Sequence, residues 1–158
     1  MGDFRNFKEK MEKDRIIIKN KKALRDFEII DKTEAGIVLK GYEAKSIRNG
    51  KVSLDGSFIK EQNGEFFINK MFVAQNPSVH SGDSEKRKRK LLMHKNEIIK
   101  FSTKEKEKGL TIIPLDIHTA NNKIKVTIAL AKHRSLYGNR RKIEEKRLKE
   151  ETRNIRRS

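Results

Sequence analysis

Apolar residues fall into three textures along the chain. Residues 1–15 scatter Phe4, Phe7 and Met11 among charged side chains, too thinly to offset the entropy of ordering, and predict a frayed arm with some helix. Residues 16–132 carry short apolar runs separated by Gly, Asn and Asp, the pattern of strands joined by turns. Residues 133–158 hold only Leu136, Tyr137, Ile143, Leu148 and Ile155 as sizeable apolar groups, set among Lys, Arg and Glu.

The middle segment is the predicted folded body. Between Lys123 and Lys132, Ile124, Val126, Ile128 and Leu130 alternate with more polar positions, which places one face of a strand in a core. Leu110 to Thr119 repeats that period through Ile113, Leu115 and Ile117 and runs into Asn121-Asn122, so the two segments read as a hairpin. Further strands are expected at Phe27 to Ile30, Gly36 to Gly41, Ser57 to Glu61 and Phe66 to Ala74, with Asn63-Gly64 turning between the last pair. Two helices interrupt them. Tyr42 to Asn49 pairs Ala44 with Ile47 on one side and Lys45 with Arg48 on the other, ahead of a C-terminal Gly50. Lys90 to Phe101 carries a stripe of Leu91, Leu92, Ile98 and Ile99, although its first turn also fits a strand. The residues between, Gln75 to Lys90, are polar and end in a basic loop, Lys86 to Lys90. The fold class expected is mainly β with small helices, an α+β arrangement built as an OB-like antiparallel β-barrel with a flexible basic C-terminal tail.

The last segment cannot build a core. Glu145 with Lys149 and Glu150 with Arg153 nevertheless stand at helical spacing among good helix formers. A tail that is disordered alone and helical when bound is the expectation.

Charge decides the partner class. The 158 residues hold 39 Lys and Arg against 22 Asp and Glu, a net charge of +17, and such a surface attracts polyanions. Nucleic acid is the expected partner. With no Cys, disulfide scaffolds, thiolate metal sites and a Cys nucleophile are excluded. No apolar run in the sequence is long enough to cross a bilayer, so no membrane role is expected and the chain is placed in the cytoplasm.

Chemistry for catalysis is thin. His80, His94, His118 and His133 lie far apart, without the i, i+3 or i, i+4 partners of a helical metal site. No Walker loop, dinucleotide fingerprint or nucleophile elbow occurs, so neither a catalytic site, a metal nor a cofactor is expected. Glu61 and Glu65 flank a turn and face solvent, which leaves a ribonuclease as the last alternative. Glu43 opens a helix, where a carboxylate serves the positive helix end equally well as it would accept hydrogen bonds from guanine or ribose. Basic residues cluster at Lys19, Lys21, Lys22 and Arg25, at Lys45, Arg48 and Lys51, and at Lys86 to Lys90. They suit phosphate neutralisation, which supplies affinity without sequence specificity.

Several blocks in a fixed order carry a family resemblance. Asn20-Lys21-Lys22-Ala23 is followed by Glu34-Ala35-Gly36-Ile37-Val38-Leu39-Lys40-Gly41-Tyr42-Glu43-Ala44-Lys45-Ser46-Ile47-Arg48-Asn49-Gly50-Lys51. Then come Asp55 to Phe58, Asn63 to Glu65, Arg89 to His94, Lys106 to Leu115 and Ala129 to Lys132. This order resembles the SmpB family, with its N-K-[KR]-A entry and E-A-G-I-x-L-x-G-x-E-V-K-S-[LI]-R-x-G-K block. The resemblance implies a non-enzymatic protein that binds the tRNA-like domain of tmRNA (SsrA RNA) for trans-translation, the rescue of stalled ribosomes with peptide tagging. Its further partners are then the small-subunit decoding centre and mRNA channel, with elongation factor Tu and alanyl-tRNA synthetase reached through the RNA. A structural ribosome component or general translation factor on the same barrel is the alternative.

The RNA-binding residues expected are Lys21, Lys22, Arg25, Phe27, Glu43, Lys45, Arg48, Lys90, Leu92 and His94, with Phe27 stacking on a base and the cations on phosphate. The resemblance also sends the tail into the empty mRNA channel as a helix, through Tyr137, Arg140, Arg141, Lys142, Lys146 and Arg147. Where the family reads G-K-K-x-[YH]-D-K-R, this chain has His133-Arg134-Ser135-Leu136-Tyr137-Gly138-Asn139-Arg140, losing an acid at Gly138 and a cation at Asn139. Arg141 and Lys142 restore positive charge beside them.

Overall fold

The computed structural model describes residues 14–75 and 84–134. The strands are β1 (Ile16–Lys19), β2 (Phe27–Ile37), β3 (Val52–Ser53), β4 (Phe58–Gln62), β5 (Glu65–Asn69), β6 (Phe72–Val73), β7 (Arg89–Leu92), β8 (Thr111–Ala120) and β9 (Lys123–His133). The helices are α1 (Lys21–Asp26), α2 (Gly41–Arg48) and α3 (Lys95–Lys108). The main sheet runs β1-β8-β4-β5-β7-β2-β9, and an added β8–β9 pairing closes six of those strands into a ring. All pairings are antiparallel, as the OB-like expectation requires. β3 and β6 form a separate two-stranded sheet.

Both expected hairpins form for the reason expected. A tight two-residue turn matched to strand twist needs positive φ at both central residues. Asn121 and Asn122 stand at φ 51° and 65°, and Asn63 and Gly64 at 54° and 76°. The ring's interior is filled by the alternating positions of these strands, among them Ala35, Ile59, Phe66, Ile68, Leu91, Ile112, Ile117, Val126, Ile128 and Leu130, with Ile47 from α2 and Phe101 from α3. A smaller apolar cluster lies on the outer side of β8 and β9, where Ile113, Leu115, Ala129 and Ala131 pack with Ala23 of α1, Phe27 and Ile29.

Several boundaries differ from the sequence expectation. Phe27 to Ile30 and Gly36 to Gly41 are not two strands; β2 is one strand that ends at Ile37. Its polar centre, Asp31 to Glu34, keeps alternating in burial while pairing with β9, and a bulge between Ile29 and Asp31 absorbs the irregularity. Conversely, Phe66 to Ala74 breaks at Lys70, whose φ is 63°, and the chain passes to the small sheet. The helix expected from Lys90 is a strand over Arg89–Leu92, and α3 runs from Lys95 to Lys108. Its apolar stripe is short, with Ile99 exposed and Phe101 its one fully buried side chain. Gly109, at φ 60°, ends it as a left-handed C-cap.

The sequence assigned no element to Ile16–Lys19 or Lys21–Asp26, and both form. Asn20 joins them. Its backbone N–H donates to the Leu115 carbonyl at 2.7 Å, its side-chain amide donates to the Pro114 carbonyl at 2.8 Å, and its side-chain oxygen accepts from the Ala23 N–H at 3.2 Å. β8 shifts register between Pro114 and Asp116, a bulge that suits a proline unable to donate to the ladder. Asn20 therefore pins the start of α1 to the irregular stretch of β8.

Candidate nucleic-acid interface

One outer face of the ring, formed by β2, β9 and β8, collects many of the expected contact residues. Cross-strand pairing orders it into rows. Leu92 of β7, Gly36, Lys125 and His118 form one row; Glu34, Thr127 and Asp116 the next; Lys32, Ala129 and Ile113 the third; and Ile29, Ala131 and Thr111 the fourth. Phe27 opposite His133 closes the series. From Gly36 to Phe27 the face spans roughly 30 Å at the rise of a strand.

Helix α1 lies over the apolar third and fourth rows and presents Lys21, Lys22 and Arg25 to solvent. Phe27 is half-buried and meets His133 edge-on, with ring centroids 4.8 Å apart at 83°. The Arg134 N–H donates to the Asp26 carbonyl at 2.8 Å, so the chain leaves the body beside the end of α1. A groove of about 330 Å³ opens between α1 and β4, lined by Lys22, Asp26, Phe27, Phe58 and Ile113 among others. At the far end, Leu92 is 54% exposed. It covers the bare backbone of Gly36, where an added Cβ would lie 3.2 Å from Leu92 Cβ.

A polar relay that the sequence reading missed, half-buried at His118 and Asp116 and exposed at Glu34, sits in the first two rows. His118 Nδ1 lies 2.8 Å from Asp116 and its Nε2 2.7 Å from Glu34, while the Thr127 hydroxyl donates to Asp116 at 2.9 Å. Burial opposes the imidazolium, but the bonds to Glu34 and Asp116 outweigh it and raise the His118 pKa above its ordinary 6.5. The signal is the Asp-x-His spacing in a strand, where residues two apart share a face, and not the i, i+3 or i, i+4 spacing of a helix.

The remaining expected residues spread around this face. Lys90 faces outward on β7 and pairs with Glu65 at 2.8 Å. His94 is the exposed N-cap residue of α3. Lys45 and Arg48 are exposed on α2, and Arg48 donates to the Asn122 carbonyl at 3.0 Å, which sets it at the tip of the β8–β9 hairpin. Tyr137, Arg140, Arg141, Lys142, Lys146 and Arg147 lie outside the described residues, as do residues 1–13 of the expected arm. The last two arm residues engage the same hairpin: Asp14 accepts from the Asn121 N–H at 3.0 Å, and the Arg15 N–H donates to the Thr119 hydroxyl at 3.1 Å.

Glu43 is placed differently from the expectation of an RNA contact. It is fully buried and so offers no surface to a macromolecule. Its carboxylate accepts from the Lys40 N–H at 2.9 Å, from Arg87, and from Arg89 at 2.5 Å. Arg89 is buried as well and also donates to the carbonyls of Met71, Arg87 and Glu85. Burial works against both charges. For Glu43, the bonds from Arg87, the Lys40 amide and Arg89 prevail and hold the carboxyl below its usual range. For Arg89, burial prevails over those bonds and lowers the guanidinium from its usual value, which is high enough that the group stays protonated at neutral pH. Within the run Lys86 to Lys90, expected as a solvated basic loop, Arg89 is thus an interior residue, because strand alternation points it and Leu91 inward and Lys90 and Leu92 outward.

The comparisons with known proteins bear on the family of the chain. The family model described as "SmpB protein" matches residues 17–158. The chain belongs to the SmpB family. Among curated SmpB relatives, the SsrA-binding protein of Persephonella marina is 47% identical over 138 residues, covering 87% of this chain and 91% of that one. That of Aquifex aeolicus is 46% identical, covering 85% and 87%. A solved SmpB structure titled "tmRNA-SmpB: a journey to the center of the bacterial ribosome" superposes with a TM-score of 0.63 at 38% identity, over 75% of this chain and 85% of that one. Among the described residues, no helix is long and apolar enough to cross a membrane.

Proposed function

We propose that this SmpB-family chain binds the tRNA-like domain of tmRNA and delivers it to stalled ribosomes for trans-translation, acting in the cytoplasm as a binding protein and not as a catalyst. The observation that carries the reading is the β2–β9–β8 outer face, where the cations of α1 stand over an apolar bed with Phe27 at one end and Leu92 at the other. Folded RNA is recognised by shape, stacking and phosphate contact, and a rigid face some 30 Å long with cations held on a pinned helix suits that task. Lys21, Lys22 and Arg25 neutralise phosphate, Phe27 and Leu92 give apolar contact to bases, and Lys45, Arg48, Lys90 and His94 flank the face. Glu43 supports it from inside, by joining α2 to β7.

The tail expected from residue 133 begins after Arg134, since His133 closes β9 and Arg134 bonds Asp26, and residues 135–158 supply the second part of the function. They leave the body next to α1, order as a helix in the empty mRNA channel of the small subunit, and reach the decoding centre through Tyr137, Arg140, Arg141, Lys142, Lys146 and Arg147. Elongation factor Tu and alanyl-tRNA synthetase are met through the RNA. The test is truncation after Arg134, which keeps the His133 contact to Phe27. Affinity for a tRNA-like fragment should stay within about twofold while tagging on stalled ribosomes is abolished; loss of both together would refute the division between body and tail.

A further inference from the structure

The face of the ring across from the β2–β9–β8 surface has its own pattern. On β4, Phe58, Lys60 and Gln62 point outward, since Ile59 between them is buried. On β5, Glu65, Phe67 and Asn69 point outward, since Phe66 and Ile68 are buried. Pairing sets Lys60, Phe67 and Lys90 side by side across three strands, with Phe58 diagonal to Phe67. The Lys88 ammonium sits over the Phe67 ring, 4.8 Å from its centroid, and bonds Gln62. The Lys70 ammonium sits 5.8 Å from the Phe58 centroid. Against these lysines the face carries the carboxylate of Glu65, paired with Lys90, while Glu61 turns away to accept from Ser102.

We propose that this β4–β5–β7 face is a second RNA-binding site, a stacking platform for an unpaired RNA strand. Aromatic rings on the outer side of neighbouring strands, with lysines interleaved at strand spacing, match alternating bases and phosphates. Each ring is half-buried beneath the ammonium of an exposed lysine, Lys88 or Lys70, so that movement of the lysine opens its π-face to solvent. An exposed ammonium is a weaker occupant of a ring than a stacked base. An arriving base therefore displaces Lys88 from Phe67, and the freed ammonium moves to the adjoining phosphate. Phe58 also lines the groove beside α1, but Phe67, Lys60 and Lys88 stand away from that helix, which packs on β2 and β8, so this part of the site can be filled while the tRNA-like domain is bound.

The experiment titrates the full chain with a fluorescent, unstructured oligouridylate 12-mer, alone and with a saturating tRNA-like tmRNA fragment. The expected result is binding in both conditions. Phe67→Leu and Lys88→Gln should each weaken the 12-mer at least fivefold and leave the tRNA-like fragment within about twofold. Phe67→Leu keeps apolar bulk, and the exposed Lys88 gives a second variant that does not disturb the core. Displacement of the 12-mer by the tRNA-like fragment, equal losses for both RNAs, unchanged 12-mer affinity in both variants, or equally tight binding of an oligoglutamate of the same charge would each overturn the proposal.

Discussion

Removing the Glu43 carboxylate tests whether this residue acts from the interior. Glu43→Ala leaves the Arg89 guanidinium buried and without a counter-charge, and removing one partner of a buried ion pair costs about 3–5 kcal/mol. Arg89 keeps the carbonyls of Met71, Arg87 and Glu85, which favours the lower end, near about 3 kcal/mol. The Lys40 N–H at the start of α2 also loses its acceptor. With a urea slope of about 1.5 kcal/mol per M, the unfolding midpoint should fall by about 2 M. Glu43→Leu combined with Arg89→Met removes both charges and should recover most of the loss, since an apolar replacement of a buried pair is often neutral. Urea titration followed by circular dichroism reads all three proteins. A midpoint within about 0.5 M of wild type for Glu43→Ala, or a collapse of RNA affinity at unchanged stability, would refute the interior role.

Other consequences follow from the same contacts. Asn20→Ala removes the amide bond to Pro114 and the cap of α1 and should cost about 1–3 kcal/mol by urea titration, with weaker RNA binding as α1 loosens. The His118 proton is bound more tightly in the folded than in the unfolded chain. Its contribution to stability is therefore complete below its ordinary value of 6.5 and declines as pH rises through the raised folded value. The stability difference between wild type and His118→Gln should accordingly be larger at pH 5.5 than at pH 8.5, and an equal difference at both would contradict the relay. Lys21→Gln and Arg25→Gln should each weaken RNA binding across sequences and reduce the slope of log affinity against log salt by about 1.

Much of the architecture is legible where local chemistry and global pairing agree. Asn121-Asn122 and Asn63-Gly64 adopt positive φ readily, and the strands on either side alternate cleanly, so both hairpins could be read directly. Gly50 past α2 worked in the same way, at φ 75°. Failures came where long-range contacts decide. Asp31 to Glu34 resemble a turn until β9 supplies partners for their backbone. Helix α1 is too short to show a period and depends on Asn20 reaching β8, a contact between residues 94 positions apart. Arg89 looked like one more cation in a basic run, and only its neighbours' alternation placed it inside. The candidate face was legible in its cations and Phe27, yet the Glu34, Asp116 and His118 relay required strand register that joins three separate segments.

Mapping the footprint of the tRNA-like domain on the isotope-labelled full chain tests the central claim most directly. On titration with that RNA, amide shifts are expected at Lys21 to Phe27, Gly36, Leu92, Lys125 and Lys132 to Arg134, with Phe67 and Lys60 unmoved. Shifts centred on β4 and β5, with α1 and Leu92 silent, would contradict the assignment of the β2–β9–β8 face to the folded RNA.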